Sequence, residues 1–129
     1  MKNNIQLIET SKLKHIEGFS KKRVQWLKNK IINEQIWTKP ICIDKEHYLV
    51  MDGQHRMEVA KDLELKKVPC ILYDYKEVEI WSLRDNWNVS IELIIKKALE
   101  NDIYPYKTVK HRFPVDVELC NIHLDKLKK

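Results

Sequence analysis

The residues of this 129-residue chain best suited to chemistry stand together at Met51-Asp52-Gly53-Gln54-His55-Arg56. An apolar run ends at Asp52, a glycine turns the chain, and a helical pattern starts near Gln54. The uncommitted backbone N–H groups of a helix start make an anion site, and the helix dipole favours negative charge there. His55 and Arg56 add side-chain donors, and an arginine can grip a phosphate with two parallel hydrogen bonds. Asp52 beside them can hold a hard cation such as Mg²⁺ or orient an attacking hydroxyl. Alternatively, Asp52 only caps the helix, but capping leaves Gly-x-His-Arg unexplained, so a phosphate site is the favoured reading.

Around that turn the sequence predicts a small α+β domain with a mixed sheet packed against helices, filling residues 1–129 as one unit. Ile5–Ile8 reads as a short strand. Ser20 is placed to cap a helix whose stripe is Val24, Leu27 and Ile31. Pro40–Asp44 and Tyr48–Met51 read as two strands joined by Lys45-Glu46-His47. The helix after Gly53 has Met57, Ala60 and Leu63 as its inner stripe. Val68–Tyr73 and Val78–Leu83 read as further strands. Ser90 is placed to cap a helix to about Asn101, with Ile91, Ile94, Ile95 and Ala98 facing inward. Residues 102–114 read as a polar loop, and the end as a short strand and a tail. Trp26 and Trp37, flanking the first helix, are expected in core or rim packing.

Composition excludes several classes. No run approaches the ~20 apolar residues that span a bilayer, and the N-terminus lacks the apolar core of a signal peptide, so a cytosolic protein is expected. Cys42, Cys70 and Cys120 are far apart and odd in number, which argues against a disulfide framework and a structural zinc site. A net charge of +5 suits phosphorylated ligands, although most of the lysines read as a solvated surface. With only two glycines, the chain has neither a Walker A loop nor the glycine-rich loop of protein kinases.

Asp52-Gly53-Gln54-His55-Arg56, its helix and Lys66-Lys67-Val68-Pro69 resemble the ParB/sulfiredoxin-like superfamily. Within it the chain resembles the free L-serine kinases, whose motif reads Asp-Gly-x-His-Arg. Lys107-Thr108-Val109-Lys110-His111-Arg112-Phe113 is similar to their Lys-Thr-Thr-Arg-His element, with Val109 in place of the second threonine. Leu13-Lys14-His15-Ile16-Glu17 sits where that family has its catalytic glutamate. Sulfiredoxins carry a cysteine where this chain has Gln54, so cysteine chemistry is not expected. ParB partition proteins append a helix-turn-helix for DNA, whereas the stretch after residue 85 offers one convincing helix, so nucleic acid is not an expected partner.

The resemblance implies a kinase that moves a phosphoryl group from ATP or ADP, with Mg²⁺, to the hydroxyl of free L-serine. It implies Glu17 as catalytic base; on residue type alone, Glu9 and Glu34 are equally eligible. Asp52 would position the hydroxyl or the metal, and Gly53, Gln54, His55 and Arg56 would cradle the phosphoryl group. Lys107, Thr108 and His111 would clamp the amino acid, a basic surface loop being the plain alternative. A tryptophan near the Val78–Leu83 strand is implied at the serine pocket: Trp81, with Trp87 as a substitute. The competing class is a ParB-like module that binds a nucleotide or DNA without turnover.

Overall fold

All four residues of strand β3 (Ile41–Asp44) are buried in the computed structural model, which describes residues 4–129. A strand with alternating side chains hides all of them only when both faces of its sheet are covered. The sheet has the order β1 (Ile5–Glu9), β5 (Lys67–Tyr73), β3, β4 (Val50–Asp52). β3 and β5 are parallel, and the other two pairings are antiparallel. On one face, Ile41, Ile43, Val68 and Cys70 pack with Val24, Leu27 and Ile31 of helix α1 (Lys21–Glu34) and with Met57 and Ala60 of α2 (Gln54–Asp62). On the other, Cys42, Ile71 and Tyr73 join Ile94 and Ala98 of α3 (Ile91–Leu99) and Val109 of β7 (Val109–Arg112). This is the expected α+β architecture with a small mixed sheet.

The local chemistry explains the elements. Ser20 caps α1, its Oγ accepting from the Arg23 N–H at 3.3 Å, and Ser90 caps α3, accepting from the Leu93 N–H at 3.1 Å. The β3–β4 connection is organised by Asp44, whose carboxylate accepts from the N–H groups of Glu46, His47 and Leu49. Tyr48 sits there with φ 57°, so the second strand begins at Val50 instead of Tyr48. The parallel pair β3 and β5 needs a crossover, which runs through β4 and α2. Cys42 and Cys70 are free and buried in the core, and Cys120 is free and partly buried.

Three further regions differ from the sequence reading. The stretch 102–114 contains β7, which pairs antiparallel with β6 (Glu79–Ser82) and brings His111 opposite Ile80. Alternating buried and exposed residues, Val109-Lys110-His111-Arg112, are a strand pattern too short to stand out between prolines. The end of the chain is docked: β8 (Ile122–His123) pairs with β2 (Ile36–Trp37), and Leu124 and Leu127 join the first core. α3 stops at Leu99, with Ile94 and Ala98 as its fully buried residues.

Candidate functional site

The turn between β4 and α2 is built by Gly53. Its φ is +120°, and a Cβ there would lie 3.1 Å from the Ile41 side chain, so both backbone shape and neighbouring bulk select glycine. Gly53 is the N-cap of α2 and no side chain caps the helix. The first N–H groups of α2, at Gln54, His55 and Arg56, therefore have no helical acceptor, which leaves an anion site at the end of β4. Asp52 does not cap the helix. Its carboxylate pairs with the Lys39 ammonium at 3.5 Å, both groups being partly open to water.

Behind the turn, Gln54 points into the protein. Its Nε2 donates to the Val50 carbonyl at 2.6 Å, and its Oε1 lies 2.6 Å from His15 Nδ1. His15 Nε2 is 2.7 Å from Glu58 Oε2. Burial raises the Glu58 carboxyl, but hydrogen bonds from His15 and Lys61 outweigh it and leave the group below its ordinary value. This chain of side chains holds the turn from inside, so Gln54 offers an anion its backbone N–H and not its amide.

The front is electropositive. Burial pulls the Arg56 guanidinium below its usual value, Asp52 opposes that, and the group stays charged. Burial and the nearby Arg23, His15 and Arg56 push His55 towards its neutral form. The Ser20 N–H donates to His55 Nε2 at 3.0 Å, so the ring proton sits on Nδ1 and is a further donor. Phe19 and Tyr106 pack edge-on to the His55 ring and fix its plane.

Glu17 enters the same cleft from the segment before α1. Its Oε1 accepts from the Val109 N–H at 2.9 Å and its Oε2 from the Lys107 N–H at 3.0 Å. Glu17 is aligned by a bridge to Tyr104, with the Gly18 N–H donating to the Tyr104 carbonyl at 2.9 Å. Burial raises the Glu17 carboxyl, and the backbone hydrogen bonds from Val109, Lys107 and Thr108 and the charge of Arg84 only partly offset it. A carboxylate in that state is a better proton acceptor than one in water.

One cleft of about 390 Å³ is lined by Glu17, Asp52, Gly53, Gln54, His55, Arg56 and His111, so seven candidates from three distant segments meet. His111 is buried, and desolvation lowers its pKa to about 4. Tyr75, whose hydroxyl burial makes harder to ionise, shares a hydrogen bond with His111 Nε2 at 2.9 Å. Three candidates depart from the expected picture. The Thr108 hydroxyl is buried and donates to the Pro105 carbonyl at 2.7 Å, so it is committed to the fold and not to a ligand. The Lys107 side chain lies over the Tyr106 ring, 5.3 Å from its centroid, outside the cleft lining, and only its backbone N–H reaches Glu17. Trp81 is 43% exposed on β6, opposite Lys110 and away from the cleft lining. Its substitute Trp87 packs against Tyr104 and Lys97 instead.

Lys39, Arg23 and Lys110 also line the cleft and were not legible as site residues. Lys39 could have been suspected, because it precedes a strand that pairs with β4 and so comes near Asp52. Arg23 and Lys110 look like ordinary surface cations in the sequence. Asp52 fits a hard cation as the one carboxylate at the turn, since Mg²⁺ commonly takes one or two carboxylates and fills its remaining positions with phosphate oxygens and water. Among the described residues no group of three or more His, Cys, Asp or Glu could hold a metal ion, which argues against an all-protein cage.

A strand ending at a glycine turn, a basic helix start and a mixed sheet also define a known protein class, and comparison bears this out. The sequence pattern of the ParB N-terminal domain matches residues 2–86, and the chain belongs to that family. Over 98 residues it is 36% identical to an ATP-dependent L-serine kinase of Staphylothermus marinus, covering 73% of this chain and 38% of that protein. Over 73 residues it is 37% identical to an ATP-dependent L-serine kinase of Desulfurococcus mucosus, covering 54% of this chain and 29% of that protein. The chain thus spans less than two-fifths of the length of these relatives. Its fold matches a free serine kinase solved in complex with AMP, at a TM-score of 0.89 and 14% identity, over 98% of this chain and 95% of that one. Among the described residues no helix is long and apolar enough to cross a membrane.

Proposed function

We propose that this chain is an L-serine kinase that transfers a phosphoryl group from ATP or ADP to the hydroxyl of free L-serine, giving O-phospho-L-serine. The observation that carries the reading is Glu17 in one cleft with the Asp52–Arg56 turn: a buried, raised carboxylate faces a set of phosphate donors. The names of the sequence relatives support the same activity.

In this reading the terminal phosphate rests on the N–H groups at the start of α2, with Arg56 and the His55 Nδ1–H on its oxygens. Glu17 accepts the serine hydroxyl proton as the oxygen bonds to phosphorus. The bond from phosphorus to the bridging oxygen breaks, and its electron pair leaves with ADP or AMP. Mg²⁺, when bound, tempers the phosphate charge, and Asp52 is the side chain that would hold it. The His111 ring and the Lys110 ammonium are the cleft groups suited to the amino acid's carboxylate. Lys107 contributes through its backbone, by holding Glu17.

Phosphorus NMR of the protein with Mg²⁺, L-serine and either ATP or ADP tests this directly. A phosphoserine resonance is expected with at least one donor. Nucleotide binding without product from L-serine or other small hydroxyl acceptors would replace the kinase with a binding module.

A further inference from the structure

Helix α1 carries two tryptophan neighbours with opposite fates. Trp37, just beyond it, is fully buried, whereas Trp26 is 65% exposed. Trp26 lies off the inward stripe of Val24, Leu27 and Ile31, and its indole forms no ring–ring, cation–ring or hydrogen-bonded contact among the described residues. A singly exposed tryptophan needs no explanation in itself, but its indole is a planar, largely apolar face. It also lines the cleft that holds the Asp52–Arg56 turn.

Its position along α1 gives it a direction. Arg23 is three residues earlier, on the same side of the helix, and its charge bears on both His55 and Arg56. Arg23 therefore marks the phosphate end, and Trp26 stands about 4.5 Å further along the helix axis. The cleft lining thus joins cationic donors to an open, apolar, planar face, with Leu27 among the lining residues. That order matches a nucleotide, which has an anionic chain at one end and a flat π-system at the other.

We propose that Trp26 is the stacking platform for the nucleobase of the phosphoryl donor, a role that rests on the turn's being a nucleotide phosphate site. Stacking on an indole face needs no hydrogen-bond code, so the platform favours a nucleotide over a bare polyphosphate while discriminating weakly between bases.

Isothermal titration of the full chain and its Trp26→Ala and Trp26→Phe variants, with Mg·ATP and with Mg·tripolyphosphate, separates the two claims. Trp26→Ala is expected to weaken ATP binding on the order of tenfold or more and to leave tripolyphosphate binding unchanged. Trp26→Phe is expected to keep most of the ATP affinity. The exposed position in mid-helix tolerates alanine, and circular dichroism checks that the helix content is kept. Equal losses for both ligands, or none for ATP, would overturn the platform while leaving the phosphate site standing. If the unaltered protein binds neither ligand, the phosphate site falls, and the platform falls with it.

Discussion

The Glu17 carboxylate and the Val109 amide are separated by 92 positions in sequence and by 2.9 Å in space. With the Lys107 N–H on the other carboxylate oxygen, that bond orients the proposed base without any side chain of the C-terminal segment. Glu17→Gln keeps the shape of the side chain but removes its basicity. We expect turnover to fall by about 10²–10⁴ while nucleotide affinity stays within about twofold. Steady-state kinetics beside nucleotide titration measure both; full activity in the variant would reassign the base.

The same carboxyl sets a pH dependence. Its pKa is raised from 4.5, so the base is lost to protonation at a higher pH than a solvated glutamate would be. The kcat profile should therefore have an acid limb with its midpoint above 4.5, rising with pH, and the residual rate of Glu17→Gln should lack that limb.

Gly53→Ala puts a Cβ against Ile41 at a φ of +120°. The strain should cost about 1–3 kcal/mol, seen as a lower denaturation midpoint. Ile41→Ala removes the Cγ2 and Cγ1 atoms that would lie 3.1 and 3.2 Å from the new Cβ but leaves the backbone strain, so in an Ile41→Ala background the cost of Gly53→Ala should be only partly recovered. Full recovery would show that bulk alone selects the glycine.

Arg56→Lys retains the charge and loses the fork. A charge-assisted hydrogen bond contributes about 1.5–3 kcal/mol, so Arg56→Lys should bind ATP about tenfold more weakly and Arg56→Ala more weakly still. Equal affinity for wild type and Arg56→Lys would mean that the guanidinium does not grip the phosphate with two bonds.

His111 is neutral in the fold, its pKa lowered from 6.5 to about 4. The unfolded chain thus binds a proton that the folded one refuses between those values. Stability from this residue is present above pH 6.5 and is lost as the pH falls towards 4, by up to about 3 kcal/mol. Glu17, shifted upward, works in the opposite sense: its contribution is present below 4.5 and lost as the pH rises through its folded pKa. Comparing denaturant midpoints at pH 7 and 5 for wild type and His111→Gln isolates the histidine, and the variant should lose less stability on acidification.

Local signals were readable where local chemistry decides the structure. Ser20 and Ser90 cap the helices they precede, and the stripe Val24, Leu27, Ile31 faces the core. The Asp52–Arg56 turn was legible because each residue type there has a physical task in a short span. What escaped depends on residues remote in sequence. Nothing in Val109-Lys110-His111-Arg112 announces pairing with Glu79–Ser82, and nothing near Thr108 shows that its hydroxyl turns back to Pro105. Gln54 was read as a phosphate ligand, because its inward bond to His15 spans 39 positions and leaves no trace in spacing. Lys39 reaches Asp52 only once β3 and β4 are paired.

A reactive carboxylate clasped by main-chain amides has consequences for how the C-terminal segment can vary. An amide is present whatever the side chain, so valine at 109 grips Glu17 as firmly as a threonine would. No polar side chain is needed at 107 or 109 for the clasp, provided the chain keeps its path, which rests on the left-handed bend at Lys107, the Thr108 bond to Pro105 and the burial of Val109. Proline at 107 or 109 would bring no hydrogen to the clasp.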